Sequence, residues 1–164
     1  MKRILNCKPS RDTHRDWTMA HARAAGVLAA RAPIPRTLDL RASWWSIGDQ
    51  GKTGSCVGWA LADSVLRWHC VKTERIGRKE VLSPRFIWMA AKETDQFETQ
   101  PTTFIETEGT SLKAALDIAR KFGAVTDGVL PFGSGRLYQD EAPTFYAMAA
   151  RLKIASYFSL GKNP

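Results

Sequence analysis

The segment Asp49–Asp63, with the sequence DQGKTGSCVGWALAD, decides how the rest of this chain is interpreted. A polar, glycine-rich turn leads into a run in which side chains recur at spacings of three and four: Trp59, Ala62, Leu66 and Cys70. This spacing predicts a helix with one buried face. Cys56 lies where the turn meets the helix, and its placement raises the question of whether it is a nucleophile or a small buried residue.

The position of Cys56 suits a reactive thiolate. The exposed N–H groups and the dipole at the start of a helix stabilise negative charge. Gly54 and Ser55 allow a tight turn and leave room for a substrate carbonyl beside the sulfur. Gln50 is placed to offer its side-chain amide to a developing oxyanion, with the backbone N–H of Cys56 as second donor. We therefore predict that Cys56 is a nucleophile and that Gln50 belongs to an oxyanion hole.

Two further helices have clear boundary signals. Leu82–Glu93 is predicted as a helix with Ser83 as its N-cap and Pro84 in its first turn. Thr110–Gly123 is predicted as another, capped by Thr110 or Ser111 and ended by Gly123.

The two ends of the chain have weaker signals. Arg15–Ala32 is rich in Ala and Arg, which predicts a helix capped by Asp12 or Thr13. The prolines of the sequence APIP close that helix and begin a linker, and residues 37–45 are expected to be extended. From Pro143 onward we expect a helix that gives way to a strand over LKIASYFSL, residues 152–160.

Composition excludes several classes of protein. The chain has 164 residues, a net charge of +8 and three cysteines. The basic residues are spread along the chain and no nucleic-acid motif accompanies them, so we expect a solvated basic surface and no dedicated phosphate-binding face. An odd cysteine count without a signal peptide predicts reduced thiols and a cytoplasmic protein. No transmembrane run, metal-ligand spacing or cofactor motif is present, so we predict no membrane, metal or cofactor.

Around Cys56 the pattern Gln50-Gly51-x-x-Gly54-Ser55-Cys56 resembles the active-site segment of papain-like cysteine peptidases, the C1 family. The resemblance continues through three later stretches in the same order, together covering residues 37 to 132: Asp39-Leu40-Arg41, Leu82-Ser83-Pro84, and Glu108-Gly109 through Leu130-Pro131-Phe132. Two positions depart from the family. Thr53 stands where secreted members have a disulfide-forming Cys, and Val57 stands where an aromatic residue usually follows the nucleophile.

The resemblance implies an α+β fold. Its mostly helical left domain would begin its central helix at Cys56, and a β-rich right domain would be largely absent from this chain. Residues 1–36 would be an N-terminal extension, either a propeptide-like latch or a packing arm. Residues 37–164 would form the left domain and the start of the right domain. Gly109 would lie near the substrate cleft, with Gly54 and Ser55 as the other substrate-binding positions.

The resemblance also places the catalytic base outside this sequence. In the family, His and Asn follow the cysteine by about 130 to 150 residues, whereas only 164 − 56 = 108 residues follow Cys56. His69 would lie about 20 Å along the same helix, and His14 and His21 belong to the extension. We therefore expect the chain to be inactive alone, as a fragment, a processed product or a pseudo-enzyme.

The resemblance also implies a reaction, a substrate class and partners for the complete protein. The complete protein would hydrolyse peptides or proteins through a thioester on Cys56. The missing half, or a second polypeptide, would supply the His and Asn. An exposed apolar face would otherwise favour self-association. The alternatives are a non-catalytic papain-like module that binds peptides and a basic nucleic-acid-associated protein.

Asp63 is expected to be a solvent-facing or capping carboxylate.

Overall fold

The computed structural model describes residues 5–28, 35–94, 106–133 and 142–161. A short 3₁₀ helix at Thr13–Arg15 precedes a set of longer elements: α1 (Met19–Ala24), α2 (Cys56–Trp59), a π-helical segment (Ala60–Leu66), α3 (Arg67–Lys72), α4 (Pro84–Glu93), α5 (Leu112–Lys121) and α6 (Ala142–Ala150). Across the described ranges, β pairing is limited to three isolated bridges. The described part of the chain is therefore mostly helical, as we expected.

The central helix runs without a break from Cys56 to Lys72 through α2, the π-helical segment and α3. Its first turn lies directly against α4, because Gly58 has no side chain. A β-carbon there would lie 2.5 Å from the carbonyl oxygen of Pro84 and 2.8 Å from Cβ of Trp88. This close approach sets Cys56, two residues earlier, at the edge of the helical core.

The core lies between the central helix, α4 and α5. Its buried apolar members include Ala62, Leu66, Leu82, Ile87, Ala91, Ala115, Ile118 and Ala119. The predicted stripe is confirmed at Ala62, Leu66 and Cys70, whereas Trp59 is half-buried. Cys70 is thus a core residue.

Both predicted helix starts are confirmed. The hydroxyl of Ser83 accepts a hydrogen bond from the Phe86 backbone N–H at 3.1 Å, and Ser111 accepts one from Ala114 at 3.2 Å. Gly123 ends α5 as predicted, in the left-handed region with a φ of 99°.

Two predicted elements are wrong where the structure describes them. The helix expected at Arg15–Ala32 is replaced by the 3₁₀ turn and by α1, whose first turn is capped by Thr18 together with His21; residues 29–32 lie outside the described residues. Residues 152–160 form no strand, and Ser159 makes a single bridge to Thr18. Without a neighbouring strand to pair with, the apolar and aromatic residues of this segment do not produce a sheet.

The prediction of a solvent-facing Asp63 is also wrong. Asp63 and Arg67 are only 6% and 4% exposed, and their side chains form an ion pair of 3.0 Å one turn apart on the central helix. The guanidinium of Arg67 also donates to the Arg78 carbonyl at 3.2 Å and lies over the Trp44 ring. Burial raises the pKa of Asp63, and the charge of Arg67 opposes that rise. The carboxylate therefore serves to neutralise a buried cation.

Lys92 is a second buried charge. It lies on α4, is 1% exposed, and its ammonium is 4.4 Å from the centre of the Trp88 ring. Burial lowers the pKa of Lys92 to about 8, against the opposing effect of Glu106 and Glu108. Because an unfolded lysine titrates near 10.4, the unfolded state binds more protons than the folded state between these two values. Folding stability therefore rises with pH in this window.

This titration predicts a pH-dependent effect of the substitution Lys92→Met. As pH rises from 7.5 to 10, we expect the free energy of unfolding of the unsubstituted chain to increase relative to the variant by about 2–3 kcal/mol. Urea unfolding of both proteins across this range measures the difference. A constant difference would show that Lys92 does not titrate in this window.

No helix in the described part of the chain is both long and apolar enough to cross a membrane.

Candidate functional site

Reciprocal hydrogen bonds between Gln50 and Thr53 hold the turn before Cys56. The Gln50 side-chain amide donates to the Thr53 carbonyl at 2.9 Å, and the Thr53 hydroxyl donates to the Gln50 carbonyl at 2.8 Å. The backbone N–H of Gly51 donates to the Asp49 carboxylate at 3.0 Å. Thr53 thus supplies polar contacts that hold the turn.

Ser55 precedes the central helix but does not cap it. Its hydroxyl is fully buried and lies 2.6 Å from the Thr53 hydroxyl, and it makes no side-chain hydrogen bond to the first turn of the helix. A serine at this position usually satisfies one of the first N–H groups. Because the Ser55 hydroxyl contacts Thr53 instead, it does not cap the 17-residue helix. The half-buried Cys56 is the first residue of that helix.

Gly54 brings the turn against a second segment of the chain. Its N–H donates to the Glu106 carbonyl at 2.8 Å, and a β-carbon at Gly54 would lie 2.6 Å from the Thr107 carbonyl oxygen. Any larger residue would therefore push the turn away from residues 106–108. This close contact is the physical reason for a glycine at position 54, two residues before Cys56.

The same segment is contacted by the N-terminal residues Asn6–Lys8, which we call the strap. Asn6 donates its side-chain amide to the Thr107 carbonyl at 3.1 Å, and the Lys8 N–H donates to the Thr110 carbonyl at 3.0 Å. The Asn6 carbonyl occupies the space that a β-carbon of Gly109 would take. Gly109, predicted near a substrate cleft, is therefore covered by the chain's own backbone.

Aromatic rings line the other side of the turn. The Trp59 ring packs against Gly48 and makes an edge contact with Phe132, their centres 4.9 Å apart. Phe132 is held by its backbone, whose N–H donates to Asp127 at 2.9 Å and whose carbonyl accepts from Arg85 at 2.7 Å. Trp59 and Phe132 thus provide aromatic packing near the turn, where Val57 is a buried core residue.

None of the three histidines is placed beside Cys56 by the contacts of its own segment. His21 accepts the Thr18 N–H at 3.0 Å as part of the cap of α1. His69 lies on α3 with its ring against Trp68, and it is the thirteenth residue after Cys56 on a continuous helix, a distance of about 20 Å. His14 belongs to the 3₁₀ turn. Among the described residues, no group of three or more His, Cys, Asp or Glu is arranged to hold a metal ion.

The three thiols have different environments. Cys70 is buried, Cys56 is half-buried and Cys7 is exposed. Burial raises the pKa of Cys70. Partial loss of solvent raises the pKa of Cys7, and the charge of a neighbouring Cys56 thiolate raises it further. The strap that carries Cys7 and the turn that carries Cys56 both contact residues 106–109.

The structure brings some of the candidate site residues together in space. Gln50, Gly54 and Ser55 lie in one turn with Cys56 at its end, and Gly54 and the strap contact the segment that contains Gly109. Sequence reasoning gave residues 1–36 a latch or packing role but did not single out Cys7 or the strap, because a short polar segment at the N-terminus carries no periodic signal. It also missed the Thr53–Ser55 hydroxyl pair, for which the only signal was the departure at Thr53.

The fold matches that of a cysteine protease. Xylellain, a cysteine protease from Xylella fastidiosa, superimposes with a TM-score of 0.69 at 17% sequence identity, over 94% of this chain and 57% of xylellain. The chain thus spans little more than half the length of that protein. Neither a protein-family model nor a curated protein sequence matches the chain.

Proposed function

We propose that this chain is the nucleophile-bearing part of a papain-like cysteine peptidase. The observation that carries the proposal is the placement of Cys56: a half-buried thiol begins a 17-residue helix whose preceding serine hydroxyl is turned away from the helix. Such a position stabilises a thiolate. The cysteine-protease fold supports the same assignment.

In the proposed reaction, the Cys56 sulfur attacks a peptide carbonyl to give a thioester, and water then releases the acyl group. The backbone N–H of Cys56 and the Gln50 amide would donate to the oxyanion. The hydrogen bond from Gln50 to the Thr53 carbonyl supports this role, because it fixes the direction of an amide that would otherwise be free to rotate. Gly54, Ser55 and Gly109 would line the substrate position.

The proposed reaction requires a base from outside the described residues. The His and Asn would come from a further part of the protein or from a second polypeptide, which would pack against the nucleophile side of the helical domain. An apolar side chain is available for such packing, because Ile47 is 95% exposed and lies three residues before Gln50. The same exposed surface would favour self-association in the absence of that partner.

The strap supports a second candidate, a papain-like module that binds extended peptides without cutting them. Asn6–Lys8 pairs its backbone and side chains with residues 107–111, including a parallel bridge between Lys8 and Ser111. A separate extended peptide would pair with residues 107–111 in the same way once the strap was displaced. In either function the strap would act as a competitor for the cleft, which extends the proposed latch role of residues 1–36.

Alkylation of the thiols tests the nucleophile assignment. We expect iodoacetamide at pH 6 to modify Cys56 first, Cys7 more slowly because its pKa is raised, and Cys70 last because it is buried. Peptide mass spectrometry of samples quenched at intervals gives the three rates. The same labelling in urea provides the control, because unfolding removes the differences in environment. Equal rates for Cys56 and Cys7 in the folded protein would contradict the assignment.

A further inference from the structure

We propose that Cys7 and Cys56 form a reversible disulfide that ties the strap across the nucleophile. The strap is in register with residues 107–111, through Asn6 at Thr107 and Lys8 at Thr110, with an added ion pair of 3.5 Å between Lys8 and Glu108. Cys7 lies between these two anchored residues. Its backbone position is therefore fixed from both sides.

The turn that carries Cys56 is fixed to the same segment. Gly54 donates to Glu106 and has its α-carbon against the backbone of Thr107 and Glu108. The Trp88 indole holds the Glu108 carbonyl at 2.9 Å. Residues 106–109 thus form a common support contacted by the strap and by the turn, which brings the two thiols into the same region.

The strap is also anchored beyond Lys8. The hydroxyl of Ser10 accepts the Lys113 N–H at 3.2 Å, and the Lys113 ammonium donates to the Asp12 carbonyl at 3.1 Å and pairs with the Asp16 carboxylate. Three successive contacts on the start of α5 thus keep this part of the N-terminus in place. These contacts limit the movement of the strap and keep Cys7 beside residues 106–109.

The chemistry requires an oxidant, for which we name a hydroperoxide such as hydrogen peroxide. The Cys56 thiolate attacks one peroxide oxygen, and the O–O bond breaks to give a sulfenic acid on Cys56 and, with a proton, one water. The Cys7 thiolate then attacks the Cys56 sulfur and displaces hydroxide, which takes a proton and leaves as a second water. Two thiols lose two electrons and the peroxide gains them. A dithiol reductant reverses the bond by exchange.

The consequence is protection of the proposed nucleophile. A sulfenic acid without a neighbouring thiol proceeds to sulfinic and sulfonic acids, which dithiothreitol does not reduce. With Cys7 beside it, Cys56 is held as a disulfide and the cleft stays covered by the strap until reduction. This regulatory role depends on the proposed function of Cys56, whereas formation of the disulfide does not.

Titration with hydrogen peroxide tests the proposal. The chain at low concentration is oxidised, its remaining thiols are blocked with iodoacetamide in urea, and the peptides are mapped without reduction. We expect the number of alkylatable thiols to fall from three to one, with a single linked pair, Cys7–Cys56, within one chain. Oxidation in urea should instead give a mixture of all three pairings. A predominance of another pair, of mixed pairs or of linked dimers in the folded protein would overturn the proposal.

Two variants sharpen the test. Cys70→Ser should leave the Cys7–Cys56 bond unchanged, whereas Cys7→Ser should convert Cys56 to products that dithiothreitol does not recover. Equal recovery of Cys56 in the Cys7→Ser variant would overturn the protective role. If alkylation is selective for Cys56 but no disulfide forms, this proposal fails and the peptidase assignment stands. If the disulfide forms but alkylation is unselective, the disulfide stands and the peptidase assignment fails.

Discussion

Replacement of Cys56 by alanine is expected to abolish the proposed peptide hydrolysis by the protein assembled with its base, with kcat reduced on the order of 10⁴-fold or more. The reason is chemical: alanine has no atom that can form the thioester. The site is half-buried and lies at the edge of the core, so loss of one sulfur atom there should leave the helix in place. The measurement is turnover of a fluorogenic peptide by the protein and its variant at equal concentration.

Cys70→Ala is the matched control, because it removes the same atom from the other end of the central helix, where Cys70 is a core residue without a proposed role. We expect this variant to keep its turnover after correction for any loss of folded protein. Circular dichroism and thermal unfolding verify that both variants are folded. Undiminished turnover by Cys56→Ala would remove Cys56 from the mechanism.

The sequence was most informative where short-range chemistry decides the structure. The caps at Ser83 and Ser111 and the stop at Gly123 were predicted correctly, because each depends on one side chain or one φ angle. The central helix was predicted from a different local signal, the spacing of its buried side chains. The turn between Gln50 and Ser55 also depends on neighbouring residues, although its hydroxyl pair was missed.

Sequence reasoning failed where distant residues decide the outcome. Asp63 is charged and was expected to face solvent, but Arg67 one turn later makes its burial possible. The strap and Cys7 acquire their positions only through residues 106–113, about a hundred positions further on. Residues 152–160 would need a partner strand that the described part of the chain does not provide. Periodicity and propensity contain no information on such partners.

The buried ion pair leads to the second prediction. We expect Asp63→Leu to lower the free energy of unfolding by about 3–5 kcal/mol, because it leaves the Arg67 guanidinium buried without its carboxylate. The pair lies on the central helix, and Arg67 is further held against Trp44 and the Arg78 carbonyl, so the cation cannot turn readily to solvent. Urea unfolding followed by circular dichroism measures the loss.

The double variant Asp63→Leu/Arg67→Met separates the charge from the packing. If the uncompensated cation causes the loss, removing it should restore most of the stability lost in Asp63→Leu, since an apolar pair of similar volume often replaces a buried ion pair without cost. Asp39→Ala, which breaks the exposed pair with Arg41, should leave the unfolding curve unchanged. A double variant no more stable than Asp63→Leu would mean that packing around residues 63 and 67, rather than their charges, stabilises the central helix.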